Sequence, residues 1–432
     1  MGRPPLSPAR KAAWQALSSW LVIGPEKARL GSPKKPFPPV NLSPRDKAYA
    51  ARLAEGCVKR FGSLEPILRE LAEGKHPRPK ALLAALLIGS FELLFEEGVR
   101  AHAAVYEAVN LARQAAGRGG ASFANALLRK IAKNRDANFW VQRKNLAIRF
   151  SLPQSFIQKK IQELGQDAAE NLFAFFLTPP HLGIRVNPLR SNPEDLMSTL
   201  CDQGFACSGG FHPGTLVLPK PSHGAILETK AFQQGFFTIQ DSAHVEIVDV
   251  LGPKPGERIL DLCAAPGTKA TAMGEITGDQ AEIFCFDLNQ NRLAGLRDEA
   301  GRLGLTCLKI LETKEELKAL CKEGLMDRVL VDAPCSNTGV LNRRAEARWH
   351  FSQENLKHFV SVQQRLILQA AEALKPGGTL VYSTCSLEPE ENEDLARSLD
   401  GKKGLRLLST ERILPVLHAR DGSGLSVFVK EN

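Results

Sequence analysis

Two short polar stretches hold the residue types that can attack carbon, Asp332-Ala333-Pro334-Cys335 and Ser383-Thr384-Cys385-Ser386. A thiolate is a strong nucleophile, and a nearby carboxyl group can hydrogen-bond the charge that develops on the group attacked. Each stretch follows an apolar run, Val329-Leu330-Val331 before the first and Thr379-Leu380-Val381-Tyr382 before the second. Both read as exits of buried strands, where open α/β sheets place their chemistry. Two thiols and one carboxylate are therefore expected at one sheet edge. Nothing in the residues alone says which thiol attacks.

The nine cysteines are an odd number without disulfide-framework spacing, and no pair has the Cys-x-x-Cys form. Reduced thiols and no metal site are expected. Most should be inert core residues, but Cys335 and Cys385 sit among polar turn residues.

A second constellation precedes them. Asp261-Leu262-Cys263-Ala264-Ala265-Pro266-Gly267-Thr268-Lys269 closes one apolar run and opens a helical one. Small residues let the backbone approach a ligand, and a helix N-terminus offers unpaired N–H groups. It is neither a Walker loop nor a Gly-x-Gly-x-x-Gly fingerprint. Asp287 closes the next run, where an acidic residue can bind both hydroxyls of a ribose. Together they call for an adenosine-containing cofactor without a polyphosphate; either element alone would equally suit an ordinary tight turn or a helix-capping Asp.

The elements that must position these residues follow from periodicity. From Gly256 on, strands at Arg258–Leu262, Ala281–Phe286, Leu305–Leu311, Arg328–Val331 and Thr379–Tyr382 alternate with helices at Thr268–Thr277, Asn289–Leu303 and Ser352–Leu374. That alternation predicts a mainly parallel sheet covered on both faces. The run Leu425–Val429 is expected as an edge hairpin partner. Upstream, Ser43 to about Lys133 is helical throughout, with a break at Gly62 and a central, nearly all-apolar helix from Lys80 to Phe95. The Pro- and Lys-rich stretch Ser32–Pro39 reads as a mobile basic loop. Short strands at Leu182–Val186, Thr215–Leu218 and Phe236–Gln240 suggest a small α+β module between the two.

Charge is unevenly placed. Residues 1–150 hold 26 Lys+Arg against 11 Asp+Glu, while residues 151–432 hold 30 against 36. The basic first third favours a polyanionic partner, with nucleic acid the obvious one, although a solubilising surface would look the same. No run is long enough for a membrane span and no secretory signal is visible, so a cytoplasmic protein is expected.

Cys-Ala-Ala-Pro-Gly-x-Lys, Asp-Ala-Pro-Cys-Ser-x-Thr-Gly and Ser-Thr-Cys-Ser followed by Pro389-Glu390-Glu391-Asn392 resemble, in order and separation, the motif set of the RNA (cytosine-5)-methyltransferases. Gly235-Phe236-Phe237-Thr238-Ile239-Gln240-Asp241 resembles that family's entry to its catalytic domain. Phe123-Ala124-Asn125-Ala126-Leu127-Leu128-Arg129-Lys130 is similar to the end of a NusB-like RNA-binding domain. That fusion identifies the Fmu/Sun subfamily, the 16S ribosomal RNA methyltransferase B type.

The resemblance implies a multidomain fold: an all-α NusB-like domain over 1–136, a helical linker and small α+β module over 137–240, and an α/β Rossmann-like (class I) S-adenosylmethionine-dependent methyltransferase domain over 241–432. It implies S-adenosylmethionine as cofactor, held by Cys263, Ala264, Ala265, Pro266, Gly267, Thr268 and Lys269, with Asp287 on the ribose. It implies ribosomal RNA, 16S above all, as partner to a monomeric protein. Transfer of a methyl group to C5 of cytosine through a covalent adduct at C6 is the implied reaction. In this family the Thr-Cys-Ser cysteine attacks, here Cys385; Cys335 then serves product release, and Asp332, which also borders the cofactor, pairs with N3 of the base. The alternatives are a 23S or transfer RNA substrate, or an inactive RNA-binding assembly factor.

Three departures from the family pattern stand out. The adenine-binding Asp after the third strand is missing from Leu311-Glu312-Thr313-Lys314, which leaves Glu312 or Thr313 to serve. Thr268 replaces a usual Gly, which requires backbone there to avoid positive φ. Ala345 replaces a Pro in the segment Asn342–Trp349, where Arg343, Arg348 and Trp349 suit either RNA contact or packing.

Overall fold

The computed structural model describes residues 6–31, 37–39, 41–142, 144–218, 223–415 and 420–431. Ser32–Pro36 of the basic loop lie outside the described residues. The chain divides into two compact units, 1–178 with 341–351, and 179–340 with 352–432.

The first unit is built of helices. Helix Pro44–Lys59 starts at Ser43, whose side chain accepts from Asp46 N with Pro44 in the first turn, and Lys80–Leu94 buries 13 of its 15 residues. Such a helix has no polar face to turn to water, so it becomes the centre around which the others pack. Inside it, Glu92 is fully buried and ion-paired to Arg10, with Tyr49 as a further donor. Ala101–Lys133 comprises two helical segments that meet at a kink, where the backbone is non-helical at Ala116 and Gly117. The expected break at Gly62 falls instead at Arg60, between Pro44–Lys59 and Phe61–Leu71. Gly62 answers a packing demand, since a Cβ there would stand 2.7 Å from the Trp349 ring.

The insert 341–351 completes this unit. Ala345 belongs to its apolar core and Trp349 packs against it, edge-on to Phe61 at 5.6 Å, with its indole donating to Val58 O. Arg348 is 1% exposed and donates to the carbonyls of Lys59, Ser151, Phe176, Leu341 and Ala345. Both side chains therefore pack, where their types alone had suited RNA contact as well.

The second unit holds two sheets. Strands β1 (Leu182–Val186), β2 (Ser208–Gly209), β3 (Thr215–Leu218) and β4 (Phe237–Ile239) form an antiparallel sheet in the order β2-β3-β1-β4. The larger sheet comprises β5 (Arg258–Asp261), β6 (Glu282–Cys285), β7 (Leu308–Ile310), β8 (Met326–Asp332), β9 (Leu374–Thr384), β10 (Leu405–Ile413) and β11 (Ser423–Lys430). Its order is β10-β11-β9-β8-β5-β6-β7. Strands β9 to β7 in that order pair in parallel, and only β11 runs against its neighbours. Two apolar layers, one on each face, bury the sheet. The run Leu425–Val429 is thus interior. The edge belongs to β10, whose mixed sequence Leu405-Arg406-Leu407-Leu408-Ser409-Thr410-Glu411 hides a strand because one of its faces is left to solvent.

Candidate active site

Strands β8 and β9 lie side by side in parallel, and their register pairs Asp332 with Ser383. Ser383 Oγ donates to Asp332 Oδ1 at 2.9 Å, and Ala333 N donates to Ser383 O. The two loops that leave these strands carry Cys335 three residues on and Cys385 two residues on. Equal exit points on adjacent strands bring the thiols together. Cys335 is 4% exposed, whereas Cys385 is half-buried. Hydrogen bonding to Cys385 is the main cause holding the Cys335 thiol well above its ordinary value, followed by burial and the repulsion of nearby negative charge. Cys335 is therefore held as a neutral thiol beside its partner's sulfur.

A buried carboxylate staples the two loops. Glu391 accepts from Ser336 N at 3.0 Å, Gln363 Nε2 at 2.9 Å, Ser386 Oγ at 2.5 Å and the hydroxyl of Ser336. Ser336 follows Cys335 and Ser386 follows Cys385, so one carboxylate fixes both nucleophile loops. Asn392 adds Thr384 Oγ1 at 2.6 Å and the carbonyls of Ser386 and Glu388. Gly339 N closes on Cys385 O at 2.9 Å. A Cβ on Gly339 would lie 2.5 Å from Gly422 O, so only glycine lets these loops meet. Glu391 and Asn392 stand in the quoted motif, but no sequence signal reveals that they act as a brace.

Lys269 leans from the first turn of helix Thr268–Ile276 and donates to Asp332 Oδ2 at 2.6 Å. Burial would raise the Asp332 carboxyl, but Lys269, then His244 and the Ser383 hydroxyl, hold it below its ordinary value. Burial would lower Lys269, and Asp332 outweighs it. His244 had no signal in the sequence; a lone histidine on a helix is usually structural. Asp261, at the end of β5, is 1% exposed, with Oδ1 lacking a partner among the described residues. Burial, reinforced by Asp332, pushes its carboxyl up to about 7 against the pull of Lys269.

Residues 263–269 form the tight turn from β5 into the helix. Gly267 has φ +110°, and a Cβ there would meet Leu296 at 2.4 Å, so glycine is required twice over. Thr268 is the first helical residue and keeps a negative φ, as its side chain demands. Ala265 N donates to Asp287 Oδ2 at 3.2 Å, and Asn289 N donates to Asp287 Oδ1 at 2.7 Å. Asp287 is therefore aimed at the loop and stays partly exposed. Burial, above all, pushes the Cys263 thiol well up, so it lines the turn as a neutral group. The structure does not bring Glu312 or Thr313 into this cluster by any hydrogen bond. Exposed Glu312 pairs with Arg297, and Thr313 caps helix Lys314–Glu323 in a reciprocal box with Glu316.

The donor set suits a nucleoside-bearing cation: a carboxylate for ribose hydroxyls, a glycine turn with helix N–H groups, and acidic Asp261 and Asp332 nearby. No group of three or more metal-ligating side chains occurs among the described residues, and no described helix is long and apolar enough to cross a membrane.

Comparison with known proteins places the chain among methyltransferases of ribosomal RNA. Residues 248–420 match the model of the family described as 16S rRNA methyltransferase RsmB/F, and residues 7–133 match the NusB family. The chain is 34% identical over 363 residues to a probable ribosomal RNA small subunit methyltransferase B of Synechocystis, covering 82% of this chain and 80% of that one. It is 30% identical to the ribosomal RNA small subunit methyltransferase B of Proteus mirabilis, covering 88% and 90%. Its fold is similar to the crystal structure of PH0851, with a TM-score of 0.78 at 24% identity over the whole of both chains.

Proposed function

The chain belongs to the ribosomal RNA small subunit methyltransferase B family, enzymes that use S-adenosylmethionine, and on that premise we propose that it methylates C5 of a cytosine in 16S ribosomal RNA through a Cys385 adduct. We propose three functional modules: helical RNA binding over 1–136, a helical linker and α+β module over 137–240, and catalysis over 241–432, the last interrupted by 341–351, which packs in the helical unit. The observation that carries the reading is the pair of thiols on the loops leaving two adjoining parallel strands, beside an Asp332 that its Lys269 partner holds ionised.

C5 of cytosine is a weak nucleophile. Attack of the Cys385 thiolate on C6 forms a C–S bond and makes C5 enamine-like. Asp332 accepts from the exocyclic amine and faces N3, and the proton in its contact with Lys269 can follow the charge that N3 develops. When bound, S-adenosylmethionine supplies an electrophilic methyl group. N3 then returns its proton through Asp332 to Lys269, water takes the C5 proton, and the C6–S bond breaks with its electron pair leaving on Cys385, which restores the ring. Cys335, which keeps its proton beside that sulfur, aids release. Half-exposed Cys385 is the thiol a base can reach, which supports this division of roles. Residues 263–269 would cradle the methionine and ribose portions and Asp287 would take the ribose hydroxyls. Glu312 and Thr313 would serve the adenine only by giving up their present partners, Arg297 and the helix cap.

Ribosomal RNA bearing 5-fluorocytosine cannot lose the C5 substituent, so the adduct accumulates. A protein–RNA band is expected from the wild type and from Cys335→Ala but not from Cys385→Ala. A band that survives Cys385→Ala and vanishes in Cys335→Ala reverses the two roles.

A further inference from the structure

The second unit holds a cavity of about 310 Å³ beside the methyl-transfer site, walled by Gly209, Phe211, Thr215, Asp241, Ser242 and Arg420 among others. That volume is at the small end of ligand sites, which start at roughly 300 Å³. Its position follows from topology. Helix Ser242–Leu251 feeds the start of β5, so its first residues stand at the opposite edge of the sheet, where the thiols emerge. A hydrogen-bond relay makes the link: Asp421 N donates to Oδ1 of the Asp241 side chain at 3.4 Å, Gly422 N to Gly339 O at 3.1 Å, and Gly339 N to Cys385 O at 2.9 Å.

The lining selects the kind of ligand. Arg420 is 6% exposed and ion-paired with Glu246, and its Nε has no hydrogen-bond partner among the described residues. Its guanidinium lies 4.2 Å from the centre of the Phe211 ring, which is still 52% exposed. Glu246 offsets the arginine and Asp241 adds a negative charge, so the cavity lacks the positive balance a phosphate needs. A flat heteroaromatic ring fits better: Phe211 offers a stacking face, Arg420 Nε a donor, and Asp241 with Ser242 polar contacts for ring edges.

We propose that this cavity receives a second unstacked nucleobase of the substrate RNA, one flanking the target cytosine. The inference rests on the proposed function. Extruding a cytosine toward Cys385 strips its neighbour of a stacking partner, and an aromatic platform at that point offsets the loss. The nucleotide beside the target thereby becomes one the enzyme selects.

Gly209 permits a clean test. A Cβ there meets nothing within 4 Å and its φ is not positive, so leucine enters without strain and narrows the cavity that Gly209 walls. Methylation of a short RNA containing the target is compared for wild type, Gly209→Leu and Phe211→Ala, using intact RNA and RNA with an abasic site at each flanking position. For the wild type, KM is expected to rise about tenfold for one abasic position and not for the other. Both variants should show the same rise on intact RNA, no further rise with that abasic RNA, and unchanged kcat and S-adenosylhomocysteine affinity. A wild-type KM in Gly209→Leu, or equal abasic penalties in wild type and variants, overturns the proposal. If the wild type forms no 5-methylcytosine, the proposed function fails, and the RNA Kd of wild type and Gly209→Leu decides the cavity: weaker binding by the variant retains it, equal binding rejects it.

Discussion

Four hydrogen bonds converge on the Glu391 carboxylate, and their donors come from three separate stretches of chain. Hydrogen bonds to a buried charge contribute about 1.5–3 kcal/mol each, and removing the acceptor strands every donor at once. Glu391→Ala is therefore expected to lower unfolding free energy by at least about 3 kcal/mol and to abolish adduct formation, with Glu391→Gln intermediate in both; urea titration and the 5-fluorocytosine assay read the two effects. Asp261 gives a pH-dependent counterpart. Its carboxyl is raised from 3.8 to about 7, so the folded state holds the proton more tightly than the unfolded chain. Stability must fall as pH climbs through that window and level off above it. Asp261→Asn removes the penalty, so the cofactor-free variant should gain on wild type between pH 4 and 7; a difference that does not vary with pH contradicts the assignment. The thiols and Asp332 were legible because polar residues directly after apolar runs are unusual. The roles of Glu391 and Asp261 were not, since a buried carboxylate is written with the same letter as an exposed one.

At the scale of elements, the parallel strands were readable because burial on both faces leaves uninterrupted apolar runs. Strand β10 and the two-residue β2 were not, since solvent on one side, or brevity, erases the period. The insert 341–351 was the least legible. Arg348 and Trp349 are residue types favoured at RNA surfaces, and only the acceptors they meet show that they are internal ties. Burial, aided by Arg60, lowers the Arg348 guanidinium to about 9, and five carbonyls share its charge without a carboxylate. Arg348→Ala leaves those carbonyls in a dry interior. It should cost about 3 kcal/mol or more in the first unit, measured as slowed hydrogen exchange lost at helices Pro44–Lys59 and Phe61–Leu71. Lysine cannot reach five acceptors from one ammonium, so Arg348→Lys should recover only part of the loss.

For the whole molecule, charge separates the work. The first 150 residues carry the basic excess and the remainder is mildly acidic; under the proposed function, backbone attraction would fall to the helical end and chemistry to the sheet. RNA affinity should then fall at least tenfold between 50 and 200 mM salt, as release of several counterions requires. S-adenosylhomocysteine affinity should hardly move over the same range. Filter binding and calorimetry measure the two. An RNA affinity indifferent to salt would place recognition elsewhere. The uneven charge was readable from composition, because net charge per segment survives any folding, whereas the cavity at Phe211 and Arg420 joins residues more than 200 positions apart and has no local trace.

The discontinuous helical unit also sets a timetable. Its first 178 residues leave the ribosome well before Leu341–Phe351, the piece that fills its core and satisfies its carbonyls. At about 5–20 residues per second, roughly 10–30 s of synthesis separate the two. Throughout that interval the nascent helices hold an unfilled slot for Ala345, Arg348 and Trp349, and the carbonyls of Lys59, Ser151 and Phe176 must borrow water. The last bolt of the oldest part of the protein is thus delivered with the newest, which makes locking of the helical unit an event that waits on translation of the catalytic one.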